Sequence, residues 1–516
     1  MVRIVDKHDV TTIAAPTFEP LEIRRTSNVL SLRLLVFACV LTALAGRLVF
    51  LVQPFNPDSA TFIYLGKSVC DGDRFCHDII DNKFPTVGLM TSVCWRAFGT
   101  NWPAYVLLQT TLSILASVLL ARTAARTIGG HARIPTALAA MVYLNFSLAV
   151  FGGFQLETLQ IFFSILAACS ALDCLKRRSL PDAFVVGLAA GCAAMIKPSG
   201  LAVVGAFAIA SLVNRSWRDV LLHAAATALG LWIPAAVTLA YLVLFDILRD
   251  MPALFRQISD YASHTPMAWE DICRPITVIV LAGFGIVVRG WVQRRSEHQV
   301  DAPIARGIVV FAVTWFILEL AGAVLQRRMY AYHFLPVAAP TSLLFGILPR
   351  KTSARGLLAA LAPIMAFSLM GSLEILKNPE PQQSTTVMSN YLLAHASPGD
   401  AVWADLSPRV LLETNLRPGA RFPILFVFGN TDTAPLEDLP ILLSDFEHRR
   451  PKYIILPAEV EAKIKLETTE SAHLARSPAR AANFAYAWRE VEAYVKSHYT
   501  PEVTLRRETL FRLNEK

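Results

Sequence analysis

The sequence VLSLRLLVFACVLTALAGRLVFLV, from Val29 to Val52, decides the class of this protein because it is long and apolar. An α-helix rises about 1.5 Å per residue, so about 20 apolar residues cross the hydrocarbon core of a bilayer. We therefore predict a membrane-spanning helix here. Residues 1–28 are polar and show no pattern of a cleavable signal, so we expect a cytoplasmic tail ahead of an uncleaved anchor.

The rest of the chain repeats this apolar pattern. Hydrophobic residues make up 54% of the 516 residues and charged residues only 17%, whereas soluble domains carry about a quarter charged residues. Further apolar runs lie near residues 103–121, 134–153, 157–175, 182–196, 198–213, 219–245, 275–292, 303–325, 333–348 and 356–375. We predict a mainly α, polytopic transmembrane bundle of about 11 spans with the lipid bilayer as a partner.

The basic residues predict the orientation of this bundle. They lie between apolar runs rather than along one face, so the net charge of +8 does not indicate a nucleic-acid partner. By the positive-inside rule the N-terminus is cytoplasmic, together with clusters around residues 122–133, 176–178, 215–218, 294–295 and 350–355. The opposite face then receives the 53–102 loop, Glu157, Lys197, the 246–274 loop, residues 326–333 and the C-terminal region.

The composition changes after about residue 376. The segments Ala401–Ala404, Ile424–Phe428 and Tyr453–Leu456 are short and apolar, and they alternate with helical patterns near 408–415, 436–448 and 480–497. This alternation is typical of a small α/β domain. We therefore divide the chain into a cytoplasmic tail (1–28), a transmembrane domain (29–375) and an extracytoplasmic α/β domain (376–516).

The first outer loop concentrates charged residues near the membrane surface, where unpaired charges are costly. Asp58 opens a segment, 59–69, whose pattern predicts an amphipathic helix in the interface. Asp58 is then either a cap of that helix or a catalytic carboxylate. Asp81 and Lys83 form either a surface ion pair or a site in which the ammonium holds a phosphate.

Other candidates lie on the same predicted face. Glu157 follows a Gly-Gly-Phe-Gln-Leu turn, where it is either a helix cap or a functional carboxylate, and Lys197 either snorkels to the surface or contributes to the site. Arg328, Tyr330 and His333 form either an interfacial aromatic belt or a phosphate site. His264 is a candidate ligand of a divalent metal, although a lone histidine does not define a site.

The cysteines show no zinc-binding spacing. Cys70 and Cys76 share the outer loop, so they could form a disulfide if that compartment is oxidising. No Walker-type loop or dinucleotide fingerprint is present, which argues against a nucleotide-driven transporter.

Together these motifs resemble the GT-C superfamily of membrane glycosyltransferases. The resemblance rests on Asp58, the Asp81-Asn82-Lys83-Phe84-Pro85 element, the Gly152-to-Glu157 turn, the Lys197-Pro198 hairpin and the Arg328-to-Pro336 stretch. It covers residues 30–375 in order, and residues 399–415 also resemble the appended extracytoplasmic domain of such proteins. The most similar groups are bacterial relatives of protein mannosyltransferases and of the aminoarabinose transferases of lipid A. Phe84 and Ala331 depart from the usual motifs.

The resemblance implies an inverting transfer of sugar from a polyprenyl-phosphate donor to an envelope glycolipid, polysaccharide or protein, at the periplasmic face of a bacterial inner membrane. Asp58 is then the base or acceptor-orienting carboxylate, and Glu157 orients the acceptor or the sugar. Lys83, Lys197 and Arg328 contact the phosphate, with Asp81, Tyr330 and His333 in support.

Two other functions fit a polytopic protein. A transporter or lipid-sugar flippase would show charges along a path through the membrane and internal repeats, whereas these charges gather on one face. A non-catalytic relative would use its α/β domain to bind a partner.

Overall fold

The computed structural model describes residues 27–53, 56–81, 83–147, 153–263, 303–326, 330–348, 353–377, 383–404, 408–422, 434–470 and 478–514. These residues form a helical bundle followed by a small α/β unit.

Long apolar helices form the bundle, and they confirm the prediction of a polytopic transmembrane protein. Within the described residues six helices are long and apolar enough to cross a membrane. They belong to α1 (Ser27–Leu48), α4 (Trp102–Thr127), α6 (Leu156–Arg177), α9 (Trp217–Leu244), α11 (Pro303–Leu325) and α13 (Ala354–Lys377). The shorter apolar helices α7 (Leu180–Ile196) and α8 (Ala202–Asn214) lie between them. The predicted span near 275–292 lies outside the described residues.

Two predicted spans differ from the structure. Within the described part of the run near 134–153, which ends at Ser147, the helix α5 covers only Arg133–Tyr143; beyond it Ser147 Oγ donates to Ser368 O in α13 at 2.7 Å. The run near 333–348 divides into a 3₁₀ helix (Ala331–Val337) and α12 (Ala338–Gly346). Pro336 lies inside the 3₁₀ segment, and proline cannot donate a backbone hydrogen bond.

Small residues allow α7 and α9 to touch along their backbones. A Cβ atom added at Gly187 would lie 1.9 Å from Thr227 O, and one added at Gly230 would lie 2.1 Å from Phe184 O. Close backbone approach through glycine is a common way of packing helices in membranes. This pair therefore fixes one wall of the bundle.

The outer loop folds into α2 (Pro57–Asp71) and α3 (Pro85–Phe98), and Phe255 of α10 (Met251–Ser263) packs against Phe84 with ring centroids 5.9 Å apart. Asn56 caps α2 by accepting from Ser59 N at 2.7 Å, so the interpretation of Asp58 as the cap is wrong; Asp58 lies in the first turn. The prediction of an amphipathic interfacial helix is also wrong. Residues 59–68 are all buried, because α3 and the C-terminal unit pack around α2.

The C-terminal unit contains a five-stranded sheet in the order β2-β1-β3-β5-β4. The strands are β1 (Ala401–Ala404), β2 (Arg417–Pro418), β3 (Tyr453–Pro457), β4 (Tyr499–Leu505) and β5 (Glu508–Leu513). β1 pairs in parallel with β2 and β3, whereas β5 runs antiparallel to β3 and β4. The predicted strands at 401 and 453 are present, the one at 424–428 lies outside the described residues, and the β4–β5 hairpin was not predicted.

Helices surround this sheet and supply its core. They are α14 (Gln383–His395), α15 (Pro408–Thr414), α16 (Ala434–Arg449), α17 (Val460–Glu470) and α18 (Pro478–His498). Trp403, Phe446 and Trp488 are among the buried side chains that fill the space between helices and strands.

The α/β unit docks on the outer loop immediately before Asp81. Ile80 N donates to Arg421 O at 2.8 Å, and the Ile80 side chain packs against the core of the α/β unit. Arg449 Nη2 also donates to Asp78 O at 3.4 Å. The position of the Asp81–Lys83 element therefore depends on residues more than 300 positions later in the chain.

Candidate active site

The Asp81–Lys83 element forms a local ion pair at one side of the site. Asp81 is buried, and its Oδ1 accepts from the backbone N of Lys83 at 3.0 Å. The same oxygen lies 3.6 Å from Lys83 Nζ, which is also 5.9 Å from the centre of the Phe62 ring. Asp81 thus holds both the backbone and the ammonium group of Lys83, whose side chain keeps 31% of its surface exposed.

Glu157 and Lys197 form a second pair between α6 and the end of α7. Lys197 adopts an extended backbone (φ −147°), as expected of a residue before proline, and this directs the chain out of α7. Lys197 Nζ bonds Glu157 Oε1 and lies 3.4 Å from Gln326 Oε1. Glu157 is only 2% exposed. Because Lys197 bonds this buried carboxylate, the interpretation that its side chain only extends to the membrane surface is wrong.

A tight turn ahead of α6 presents Glu157 to the site. Gly153 has φ +78°, and a Cβ there would lie 2.9 Å from the Cβ of Phe50. Ser59 Oγ donates to Phe154 O at 2.8 Å. Because Ser59 follows Asp58, this bond joins the turn before Glu157 to the first turn of α2.

Asp58 lies within electrostatic reach of both pairs. Burial raises the pKa of the Asp58 carboxyl above its usual range; Lys83 and Lys197 oppose this, whereas Glu157 and Asp81 add to it. Four charged residues from distant parts of the sequence therefore act electrostatically on one carboxyl group. Such a perturbed carboxyl among several charges is typical of functional sites.

Aromatic rings form the side of the site next to Lys197. Lys197 Nζ lies 5.7 Å from the centre of the Tyr332 ring, and Tyr332 stacks on Tyr330 with their centroids 5.5 Å apart. His333 is buried and packs edge-on against Tyr332 at 4.6 Å. The sequence prediction named Tyr330 and His333 but not Tyr332, whose ring lies beside the Lys197 ammonium group.

Two predicted site residues, Arg328 and His264, lie outside the described residues. Among the residues that the structure does describe, no group of three or more His, Cys, Asp or Glu side chains is suited to hold a metal ion. Cys70 and Cys76 are both free thiols, and Cys70 Sγ lies 3.5 Å from Ser92 O.

The sequence prediction missed several residues that support the site. Gln326, Ser59 and Arg47 are polar residues within or beside apolar runs, and Arg47 is fully buried in α1. A charged residue inside a long apolar run is the feature by which Arg47 could have been found in the sequence.

No protein-family model and no curated protein sequence matches this chain. The fold, however, matches solved structures along nearly its whole length. ArnT from Cupriavidus metallidurans bound to undecaprenyl phosphate superposes with a TM-score of 0.57 at 14% identity, covering 94% of this chain and 97% of ArnT. The apo state of that protein gives 0.56 over the same shares at 14% identity.

A second protein shares this architecture. The archaeal oligosaccharyltransferase AglB from Archaeoglobus fulgidus, in complex with an inhibitory peptide and a dolichol-phosphate, gives a TM-score of 0.53 at 12% identity. The match covers 91% of this chain and 72% of AglB. This likeness confirms the fold that the resemblance to the GT-C superfamily implies, that of a polytopic membrane protein. Its own architecture, a transmembrane bundle with outer-loop helices and a C-terminal α/β unit, is similar to ArnT along 94% of this chain.

Proposed function

We propose that this protein is an integral-membrane, inverting glycosyltransferase that uses a polyprenyl-phosphate sugar as donor. The observation that carries the proposal is the convergence of Asp58 with the Asp81–Lys83 and Glu157–Lys197 pairs. The fold supports it, because two of the solved structures with a similar fold contain undecaprenyl phosphate and dolichol-phosphate, respectively.

The cations suit the departure of a lipid phosphate. In the transfer, the bond between the anomeric carbon and the phosphate oxygen breaks, and its electron pair leaves with the phosphate. That group needs positive charge rather than a strong acid. Lys83 and Lys197 supply this charge, and Arg328 is the third cation that the motif adds.

The charge balance explains why Arg328 belongs in the scheme. Three carboxylates, those of Asp58, Asp81 and Glu157, face the two ammonium groups of Lys83 and Lys197. A fully ionised set would repel a phosphate. Since a base must be ionised, Asp58 keeps its negative charge, and the guanidinium of Arg328 would cancel the excess of one negative charge with a geometry suited to phosphate oxygens.

Asp58 acts as the base of the proposed reaction. Its carboxylate takes the proton of an acceptor hydroxyl while the oxygen attacks the anomeric carbon opposite the leaving phosphate, which inverts that centre. Glu157 orients the acceptor or the sugar, and Asp81 holds Lys83. If the acceptor is itself a phosphate, no base is needed and Asp58 only orients it. Holding both substrates in one groove supplies much of the acceleration.

We further propose that the site and the α/β domain face the periplasm of a bacterial inner membrane. The acceptor is then an envelope glycolipid, a polysaccharide or a protein. The positive-inside distribution of basic clusters supports this orientation. His264 is the one residue that we propose as a ligand of a divalent metal.

Transfer from labelled lipid-linked sugar, measured in membranes, tests the mechanism. Asp58→Asn and Lys83→Ala should each lose most transfer. Asp71→Asn, at the far end of α2, and Lys176→Ala, in a basic cluster predicted to be cytoplasmic, are the matched controls and should retain it. Full activity of both Asp58→Asn and Lys83→Ala would refute the proposed roles.

Comparison of envelope glycans by mass spectrometry, in cells with and without the gene, identifies the substrates. Loss of one sugar residue from one glycan would name donor and acceptor together. Accumulation of an intact lipid-linked sugar on the cytoplasmic side would instead support a flippase.

A further inference from the structure

Arg47 is a buried cation with no acidic partner in the part of the chain that the structure describes. It lies in the last turn of α1 and is 1% exposed. No described carboxylate oxygen comes within 4.0 Å of it. Burying an unpaired charge is expensive, so neutral acceptors must compensate. These are Asn145 Oδ1 (3.0 Å), Leu144 O (2.8 Å), Ser113 Oγ (2.7 Å), Gln109 Oε1 (3.4 Å) and Thr158 Oγ1 (3.3 Å).

These acceptors engage all three nitrogens of the guanidinium group. Nε bonds Asn145, Nη1 bonds Gln109 and Thr158, and Nη2 bonds Ser113, Leu144 and Thr158. A guanidinium has five N–H donors, so this set leaves none for an anionic ligand. The cavity beside Arg47 measures about 10 Å³, which is room for about one water molecule. The surroundings therefore fit a fixed structural centre and not a phosphate site.

Gln109 transmits this constraint to the turn before Glu157. Its Nε2 donates to Gln155 O at 2.7 Å, and its Oε1 accepts from Gln155 N at 3.0 Å. Arg47 can only donate, so its bond to Oε1 fixes which end of the Gln109 amide faces each backbone group. The amide thus clamps both backbone groups of Gln155.

Arg47 consequently holds the chain on both sides of Glu157. It reaches Gln155 through Gln109, and it bonds Thr158 Oγ1 directly. We propose that Arg47 is a positioning residue that sets the first turn of α6, so that the Glu157 carboxylate meets Lys197. Its importance for transfer rests on the proposed function, in which Glu157 orients a substrate.

Kinetics of Arg47→Gln test this role. A displacement of about 1 Å in a reacting group can cost about 100-fold in rate. We expect kcat to fall by about 10- to 100-fold and KM for the lipid-linked donor to change by a smaller factor, because Lys83 still holds the phosphate although Lys197 loses its partner. Arg33→Gln, at the exposed opposite end of α1, is the matched control and should transfer normally.

Gln109→Leu provides a second variant that keeps the charge of Arg47. It should reproduce the fall in kcat, since it releases Gln155. The double variant Arg47→Gln/Gln109→Leu should be no worse than the more impaired single variant, because both act through one network. Multiplicative effects of the two substitutions would overturn the proposal.

Carbodiimide labelling of Glu157, quantified by mass spectrometry, reports on the contact between Glu157 and Lys197 without requiring sugar transfer. The Glu157 carboxylate is buried and bonded to Lys197 Nζ, so the reagent should label it slowly in the natural protein. Arg47→Gln and Gln109→Leu should raise labelling at least about threefold relative to Asp173, whereas Arg33→Gln should not.

The two readouts separate the proposals. If the natural protein transfers no sugar but labelling rises as expected, the proposed function fails and the positioning role stands. If labelling is unchanged in Gln109→Leu, or if activity falls only in proportion to the amount of folded protein, the positioning role is refuted.

Discussion

The Glu157–Lys197 pair offers the most direct separation of stability from function. Glu157 is 2% exposed and Lys197 is 20% exposed. Removing Lys197 therefore leaves a more deeply buried unpaired charge than removing Glu157 does. Breaking a buried pair typically costs about 3–5 kcal/mol, because the remaining charge is uncompensated.

The exposures predict an asymmetry between the two single substitutions. Lys197→Met leaves the carboxylate of Glu157 in its buried site, so we expect the full loss of about 3–5 kcal/mol. Glu157→Gln leaves a lysine that still has solvent and the Gln326 amide within 3.4 Å, so we expect a smaller loss of about 2 kcal/mol. The double variant Glu157→Gln/Lys197→Met carries no unpaired charge and should lose less than Lys197→Met alone.

Unfolding in detergent micelles with increasing sodium dodecyl sulfate, followed by tryptophan fluorescence, measures these free energies. Transfer from lipid-linked sugar, measured on the same samples, should be lost in all three variants although the double variant is the more stable. A double variant as unstable as the sum of the single variants would show that the charges do not interact. A double variant that transfers sugar normally would refute the role of the pair in the site.

Three further predictions address the parts around this pair. Gly153→Ala should lower sugar transfer at least about tenfold, because the φ of +78° is unfavourable for alanine and the new Cβ would lie 2.9 Å from Phe50. Gly99→Ala, at a φ of +54° with no atom within 4 Å of the new Cβ, is assayed beside it as the control for backbone strain alone. Ile80→Asp should detach the α/β unit, raising its susceptibility to limited proteolysis and KM for the donor, whereas Ile80→Val should do neither. Because burial raises the pKa of Asp58 and its carboxylate is the proposed base, kcat/KM should decrease as the pH falls, with a midpoint above about 4. A pH profile of kcat/KM whose acidic midpoint lies at or below about 4 would contradict this prediction.

The sequence predicted the elements of the site better than their partnerships. Asp58, Lys83, Glu157 and Lys197 were identified from charge beside apolar runs and from the motif order, and their roles stay predictions. Nothing local predicted that Lys197 would meet Glu157, since 40 residues separate them. The sequence left Asp58 as either the cap of α2 or a catalytic carboxylate and did not identify Asn56 as the cap, because cap geometry depends on backbone angles that composition does not reveal.

Membrane insertion depends on local length and apolarity, so the sequence by itself determined the class of this protein and its long helices. Tertiary structure alone decided where α5 ends, how the α/β unit supports the segment before Asp81, and what Arg47 does. Those features depend on hydrogen bonds between segments far apart in the chain, such as Arg47 with Thr158 and Ile80 with Arg421. Buried polar groups must find partners wherever packing brings them, and only the folded chain shows which partners those are.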